Sequence, residues 1–311
     1  MDIFESKGIK PMLIGEMQDA FDSTDYIYEL KLDGLRCLAY LDKDGTDLRN
    51  KRNIKLNLKV PELSEIHKQV RCRCILDGEL IIVKKGKPDF FELQRRSMMT
   101  NTFKIKLASS KLPASFTAFD ILYYENRDVK DLPLMQRKKL LEKTIKENER
   151  IAISRYIEER GVEFYNLAKQ NQLEGIVAKK KDSKYYVDKR TKDWIKIKNL
   201  QDDDFVVCGY IFKDNGVISI VLGQYSSSQL VYKGHVTLGL STVDFQLIKS
   251  TPRISTHLFN DLPSGNDNAI WIEPSLVCAV KYMTKTVNGS LRQPVFKGLR
   301  NDKTPKDCIV K

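Results

Sequence analysis

Lys31 stands at the end of an apolar, β-prone run and just before an Asp-Gly break, in the string ELKLDGLR. A lysine fixed on rigid backbone among other cations can give up its proton and attack an α-phosphate, forming a lysine–nucleotide phosphoramidate. That reaction needs carboxylates for a metal ion and for ribose, and cations along the phosphates. Glu79 in LDGEL, Glu174 in LEGIVAKK and the pair Lys196 and Lys198 in DWIKIK supply those residue types. Residues two apart in a strand share a face, so both lysines can point at one phosphate while Ile195 and Ile197 turn to the core. The plainer alternative is that Lys196 and Lys198 are only the wet face of an amphipathic strand.

Other chemistries have weaker footing. The six cysteines (37, 72, 74, 208, 278 and 308) lack metal-ligand spacing, since Cys72 and Cys74 are separated by a single residue, and reduced, packed thiols are expected. His67, His235 and His257 are the only histidines, and none sits in a triad-like or zinc-like context.

The elements that must position these residues are legible from pattern. Residues 26–42 read as two strands around Lys-Leu-Asp-Gly, and 75–83 as strand, Asp-Gly and strand again. A further strand is expected at 116–124, helices at 134–149 (its charged side to solvent) and 157–170, and strands at 173–180 and 193–198. The tract NLQDDDF at 199–205 breaks the composition, after which short β-rich segments alternate with Gly, Asn and Ser turns in the manner of a small barrel. A first domain over 1–200 and a second over 201–311 follow, in keeping with a length of 311 residues.

Hydrophobic residues make up 41% of the chain, enough for a real core, and no run approaches the roughly 20 apolar residues of a membrane span. A cytosolic setting is expected, nucleoid-associated if the source is bacterial. The net charge of +12 suits a polyanionic partner; residues 201–311 hold 12 basic and 10 acidic side chains, so nearly all the excess lies in residues 1–200.

Six strings in order, ELKLDGLR, LDGEL, FTAFDIL, LEGIVAKK, DWIKIK and the terminal Arg300-x-Asp302-Lys303, resemble the ATP-dependent DNA ligases of the covalent nucleotidyltransferase superfamily. WIEPSLVCAVKYM and LRQPVFKGLRNDK look most like the ligase domain of bacterial end-joining ligases. The resemblance implies an α+β fold: a nucleotidyltransferase domain of ATP-grasp-like antiparallel sheets with helices, then an OB-fold barrel. It implies ATP as co-substrate with Mg2+ or Mn2+, and nicked double-stranded DNA as the partner. Lys31 would be the adenylated nucleophile, Glu29 the acceptor for the adenine amino group, and Arg36 a contact to ribose and phosphates. Glu79 and Glu174 would be the metal-associated carboxylates, Phe119 the aromatic stacked on adenine, and Lys196 and Lys198 the α-phosphate cations. Arg300 would orient the β,γ-phosphates from the second domain, which would swing on a hinge at 199–204. The family's phosphate-contacting arginine follows a serine, whereas this chain reads LRNKRNIKLNLKVPEL, so Arg52 matches it only in part. Arg190 resembles a DNA-phosphate contact.

A carboxylate at Glu29 favours ATP over GTP, because adenine presents an amine where guanine presents a carbonyl. RNA-capping guanylyltransferases share the plan and are the enzymatic alternative; a non-catalytic nucleic-acid-binding barrel protein is the alternative of another class. Neither the added nicotinamide-binding domain and zinc module of NAD-dependent ligases nor a DNA-encircling domain is expected. The chain reads as a minimal, monomeric ligase or an excised domain, with the Ku end-binding protein as a candidate partner.

Overall fold

The computed structural model describes residues 2–84, 86–286 and 289–310, and the chain separates into two compact units, Met1–Asn199 and Leu200–Lys311. The first unit opens with α1 (Ile3–Ser6), β1 (Leu13–Met17), β2 (Ser23–Leu30), β3 (Leu35–Asp42) and β4 (Gly45–Asn50). Then come β5 (Cys74–Lys84), β6 (Lys87–Pro88), α2 (Phe90–Met98), α3 (Thr102–Lys111), β7 (Ala114–Tyr124) and β8 (Arg127–Asp128). It ends with α4 (Leu134–Thr144), β9 (Ile151–Ile153), β10 (Tyr156–Glu159), α5 (Gly161–Gln170), β11 (Gly175–Lys180) and β12 (Arg190–Lys198).

Two sheets result. One has the order β1-β12-β11-β2-β10; the other runs β4-β3-β5-β7-β8, with β6 on β5 and β9 on β7. Between them lies a shared core that includes Met12, Leu38, Tyr40, Ile75, Phe119, Tyr185 and Trp194. Each outer face has its own cover. Tyr28, Ile176, Ala178, Ile195 and Ile197 pack under α5, while Cys37, Ala39, Leu76, Leu80 and Phe116 pack with Leu93 of α2 and Leu141 of α4. Strand alternation thus aims every second residue of β2, β11 and β12 into the space between the sheets.

Several sequence expectations need correction. β5 is one continuous strand, not two around an Asp-Gly turn. Gly78 is required there by close approach: a Cβ would lie 2.5 Å from the Thr117 carbonyl oxygen and 2.6 Å from the Phe116 ring. The helix expected to 149 stops at Thr144, because Ile145 turns extended and bridges to Val70. Nor is its charged side all solvated, since Arg137 and Lys138 are 0% and 1% exposed. Residues 157–159 belong to strand β10, paired with β2, so α5 begins only at Gly161.

In the second unit β13 (Gln201–Phe212), β14 (Ile218–Ser226), β15 (Gln229–Val236), α6 (Thr242–Ser250), β16 (Ile270–Tyr282) and β17 (Val295–Arg300) form a sheet ordered β15-β14-β13-β16-β17. A parallel bridge between Leu238, just past β15, and Val295 of β17 closes the ring around Phe205, Tyr210, Ile220, Leu222 and Val280. The hinge expected over 199–204 is largely strand. Residues 201–204 already pair with 279–282 of β16, leaving only Asn199 and Leu200 between β12 and β13.

Among the described residues, no helix is long and apolar enough to cross a membrane. All six cysteines are free thiols, five of them buried.

Candidate active site

Register assembles the cluster. Glu29 of β2 lies opposite Val177 of β11, which lies opposite Lys196 of β12, so the three share a face. Lys31 stands two residues beyond Glu29, its backbone N–H donating to the Gly175 carbonyl at 2.9 Å. Lys198, two beyond Lys196, is opposite Gly175. In the facing sheet, Arg36 of β3 pairs with Glu79 of β5. Gly34 makes that junction fit, since a Cβ there would lie 2.1 Å from the Leu80 carbonyl oxygen and 2.8 Å from Glu79 Cγ.

A cavity of about 70 Å³ opens between the sheets, lined among others by Glu29, Lys31, Arg36, Glu79, Phe119, Lys179 and Trp194. Lys31 Nζ lies 2.7 Å from Glu174 Oε1. Burial, opposed by Arg36 and Lys31 and reinforced by Asp77 and Glu174, pushes the Glu79 carboxyl up to about 8. A half-buried carboxyl raised by its surroundings, with the second carboxylate of Glu174 on the shared neighbour Lys31, is a donor set that suits a hard divalent cation. Burial, then the like charges of Arg190 and Lys31, lowers the Lys196 ammonium.

The rest of the cavity is held by ion pairs. Arg36 binds Asp77 bidentately, Nε to Oδ1 and Nη2 to Oδ2 at 2.6 Å each, and the Tyr185 hydroxyl donates to the same carboxylate. Its guanidinium carbon is 4.5 Å from the Phe119 ring centroid, and Lys179 Nζ is 4.2 Å from the centroids of both Phe119 and Trp194. The slot is well under the roughly 300 Å³ of an ordinary ligand pocket, because Arg36 and Lys179 occupy the space against the Phe119 ring.

Glu29 is not an idle acceptor. It is 2% exposed and pairs with Lys138 of α4 and, at 3.2 Å, with Lys179. Burial raises its carboxyl, but the two lysines outweigh that and hold it below the ordinary range. Burial in turn pushes Lys179 down to about 8 against the pull of Glu29.

The structure therefore gathers Glu29, Lys31, Arg36, Glu79 and Phe119 in one cavity, with Glu174 and Lys196 beside Lys31. Arg190 starts β12 and donates to the Ile14 carbonyl at 3.1 Å. Arg52 stands on an exposed turn outside the cavity lining. Arg300 belongs to the second unit, where Asp302 grips its guanidinium (2.8 and 2.5 Å) and Asp204 lies 3.4 Å away. Sequence reading missed Asp77, Lys138, Lys179 and Trp194. Asp77 and Lys179 sat inside strings already singled out, LDGEL and LEGIVAKK, whereas nothing local marks Lys138.

A strand-end lysine in a cleft of carboxylates and cations, followed by a closed five-stranded barrel, defines a covalent nucleotidyltransferase with an OB-fold domain. The ATP dependent DNA ligase domain matches residues 11–198, and the ATP dependent DNA ligase C terminal region matches residues 213–303. The chain belongs to the ATP-dependent DNA ligases, enzymes that use ATP and a divalent metal to seal nicked DNA through lysine-AMP and AMP-DNA intermediates. It is 28% identical over 293 residues to the SPbeta prophage-derived DNA ligase-like protein LigB of Bacillus subtilis, covering 94% of this chain and 99% of that one. It is 27% identical over 319 residues to the multifunctional non-homologous end joining DNA repair protein LigD of Mycobacterium tuberculosis, covering 99% of this chain but 40% of LigD. Among solved structures, the ligase domain of M. tuberculosis LigD matches with a TM-score of 0.56 at 24% identity, covering 98% of this chain and 99% of that domain. A Lig E DNA ligase matches with a TM-score of 0.63 at 18% identity, covering 94% and 100%. At these identities the structural matches speak for the fold.

Proposed function

We propose that the cavity around Lys31 is the adenylation site, and that the ion pair of Lys31 with Glu174 at its edge is the observation that carries this reading. Lys31 Nζ attacks the α-phosphorus of ATP, forming the P–N bond as the bond to the β-phosphate oxygen breaks and pyrophosphate leaves. Glu174 Oε1, 2.7 Å away, is placed to take the ammonium proton. Lys196 and Lys198 bring positive charge to the α-phosphate. Glu29 accepts from the adenine amino group, Phe119 stacks on the base, and Arg36 reaches ribose and phosphate. Glu79 and Glu174 would hold the divalent ion, which neutralises charge on the phosphates. In the later steps the 5′-phosphate of the nick takes AMP from Lys31, and the 3′-hydroxyl then displaces AMP as the phosphodiester forms.

Arg300 acts in the first step alone, on the departing pyrophosphate, while Arg52 contacts a phosphate of the nucleotide and Arg190 a DNA phosphate. Likeness to LigD favours end joining as the pathway, with Ku as the partner to test; likeness to a prophage-derived ligase-like protein is the ground for phage replication as the second reading. A monomer working in the cytoplasm at the nucleoid fits a DNA substrate. The test is incubation with ATP or GTP labelled at the α-phosphate, followed by denaturing electrophoresis. ATP labels the wild type, GTP does not, and Lys31→Ala takes no label; a variant labelled at the wild-type rate overturns the assignment.

A further inference from the structure

Three charged side chains, Glu29, Lys138 and Lys179, meet at the back of the cavity, each 2% exposed or less. They come from β2, α4 and β11, and their roles differ by position. Lys179 lines the cavity beside Glu29, so an incoming base meets both. Lys138 is absent from that lining. Its ammonium reaches Glu29 Oε1 from behind and lies 5.7 Å from the ring centroid of Tyr156, the residue opposite Glu29 on β10. Lys138 is therefore the counter-ion that lies outside the space a base would enter.

A carboxylate stripped of water keeps its charge only where a partner compensates it. Lys179 alone is a poor guarantor, because it must shift off Phe119 for a purine to stack there. An ionised, fixed Glu29 presents acceptors only and selects an amine; a protonated one carries an O–H donor, turns more freely and selects little.

We propose that Lys138 is a positioning residue for purine recognition, holding Glu29 as an ionised acceptor aimed at the 6-amino group of ATP. This rests on the adenylation reading above and adds to it a residue that never touches the nucleotide. Loss of Lys138 should then remove discrimination at the purine 6-position while leaving Lys31 able to react.

The experiment compares single-turnover lysine labelling by ATP and by purine riboside triphosphate, which carries hydrogen in place of the 6-amino group. Wild type should prefer ATP by about 10- to 100-fold in kcat/KM, the usual worth of a hydrogen bond to a charged acceptor. Lys138→Met should bring that preference within about 3-fold, with the loss in KM for ATP and little change for the analogue. Lys138→Arg, which keeps the charge, should restore most of the preference. Lys138→Gln, neutral and of similar length, gives the same readout if the methionine variant does not fold. Wild-type preference retained in the neutral variants, with only a fall in melting temperature, would reduce Lys138 to a structural ion pair and overturn the proposal. A wild type indifferent to the 6-amino group would remove the Glu29 contact on which it depends. Absence of any label from ATP in wild type would instead overturn the adenylation reading.

Discussion

Metal binding at Glu79 should be strongly pH-dependent in a range where ordinary carboxylates are silent. The carboxyl is pushed from 4.5 up to about 8, so it is mostly protonated at neutral pH and must shed a proton to take a cation. The ionised fraction climbs from about 1% at pH 6 to about 50% at pH 8, so Mn2+ affinity should weaken roughly 50-fold, about 2.3 kcal/mol, from pH 8 to pH 6. A carboxyl of ordinary pKa would change by only about 3% across that range. In the metal-free protein the sign is the reverse of the usual acidic case. A carboxyl raised in the folded state stabilises the fold fully below its unfolded value and loses that contribution as pH rises from 4.5 toward 8. The assay is the paramagnetic resonance signal of free Mn2+, titrated with the nucleotide-free enzyme at pH 6, 7 and 8. Glu79→Gln should flatten the profile. Equal affinity at pH 6 and 8, or a Glu79→Gln variant that keeps the slope, would refute the reasoning.

Arg137 spans Asp120, at 2.8 and 2.9 Å, and the Ser183 carbonyl, all without exposure to solvent at the charged pair. Arg137→Met strands the Asp120 carboxylate and should cost about 3–5 kcal/mol, seen as a fall of order 10 °C in the melting temperature of the first unit; a change under about 2 °C contradicts it. Arg300→Ala should lose self-adenylation yet still join a nick whose 5′-phosphate already carries AMP, because pyrophosphate departs only in the first reaction. Single-turnover sealing of both substrates checks this, and equal losses on the two point to a DNA contact or a structural role.

How much was legible depended on whether a residue's partner lay near it in sequence. Ile195 and Ile197 are buried, and Lys196 and Lys198 half-buried on the other face, as alternation in DWIKIK dictates. The Asp77-Gly78 pair misled because that dipeptide usually marks a turn; here Asp77 is fully buried under Arg36 and Tyr185, and Gly78 makes room for Phe116. The solvent-facing reading of α4 failed for the same kind of reason. A Gln-Arg-Lys-Lys string looks wet until Asp120 and Glu29 arrive from other strands to neutralise its second and third residues. The acidic tract at 202–204 resembled a linker, yet Asp204 takes Arg300 and Lys303 as partners. Charge that reads as exposure in a single sequence is burial once a distant opposite charge pairs with it.

The two sheets that flank the cavity differ in how far apart their strands lie along the chain. β3, β4 and β5 are near neighbours, and this part of the second sheet can pair as soon as it leaves the ribosome. The sheet bearing Lys31 cannot. Its β1 strand at residues 13–17 waits for partners at 190–196, and β2 waits for 156–159 and 176–180. Nearly the whole first unit must be synthesised before Lys31 acquires Glu174 and Lys196 as neighbours. A nascent or truncated chain thus carries Lys31 long before it carries the residues that come to surround it.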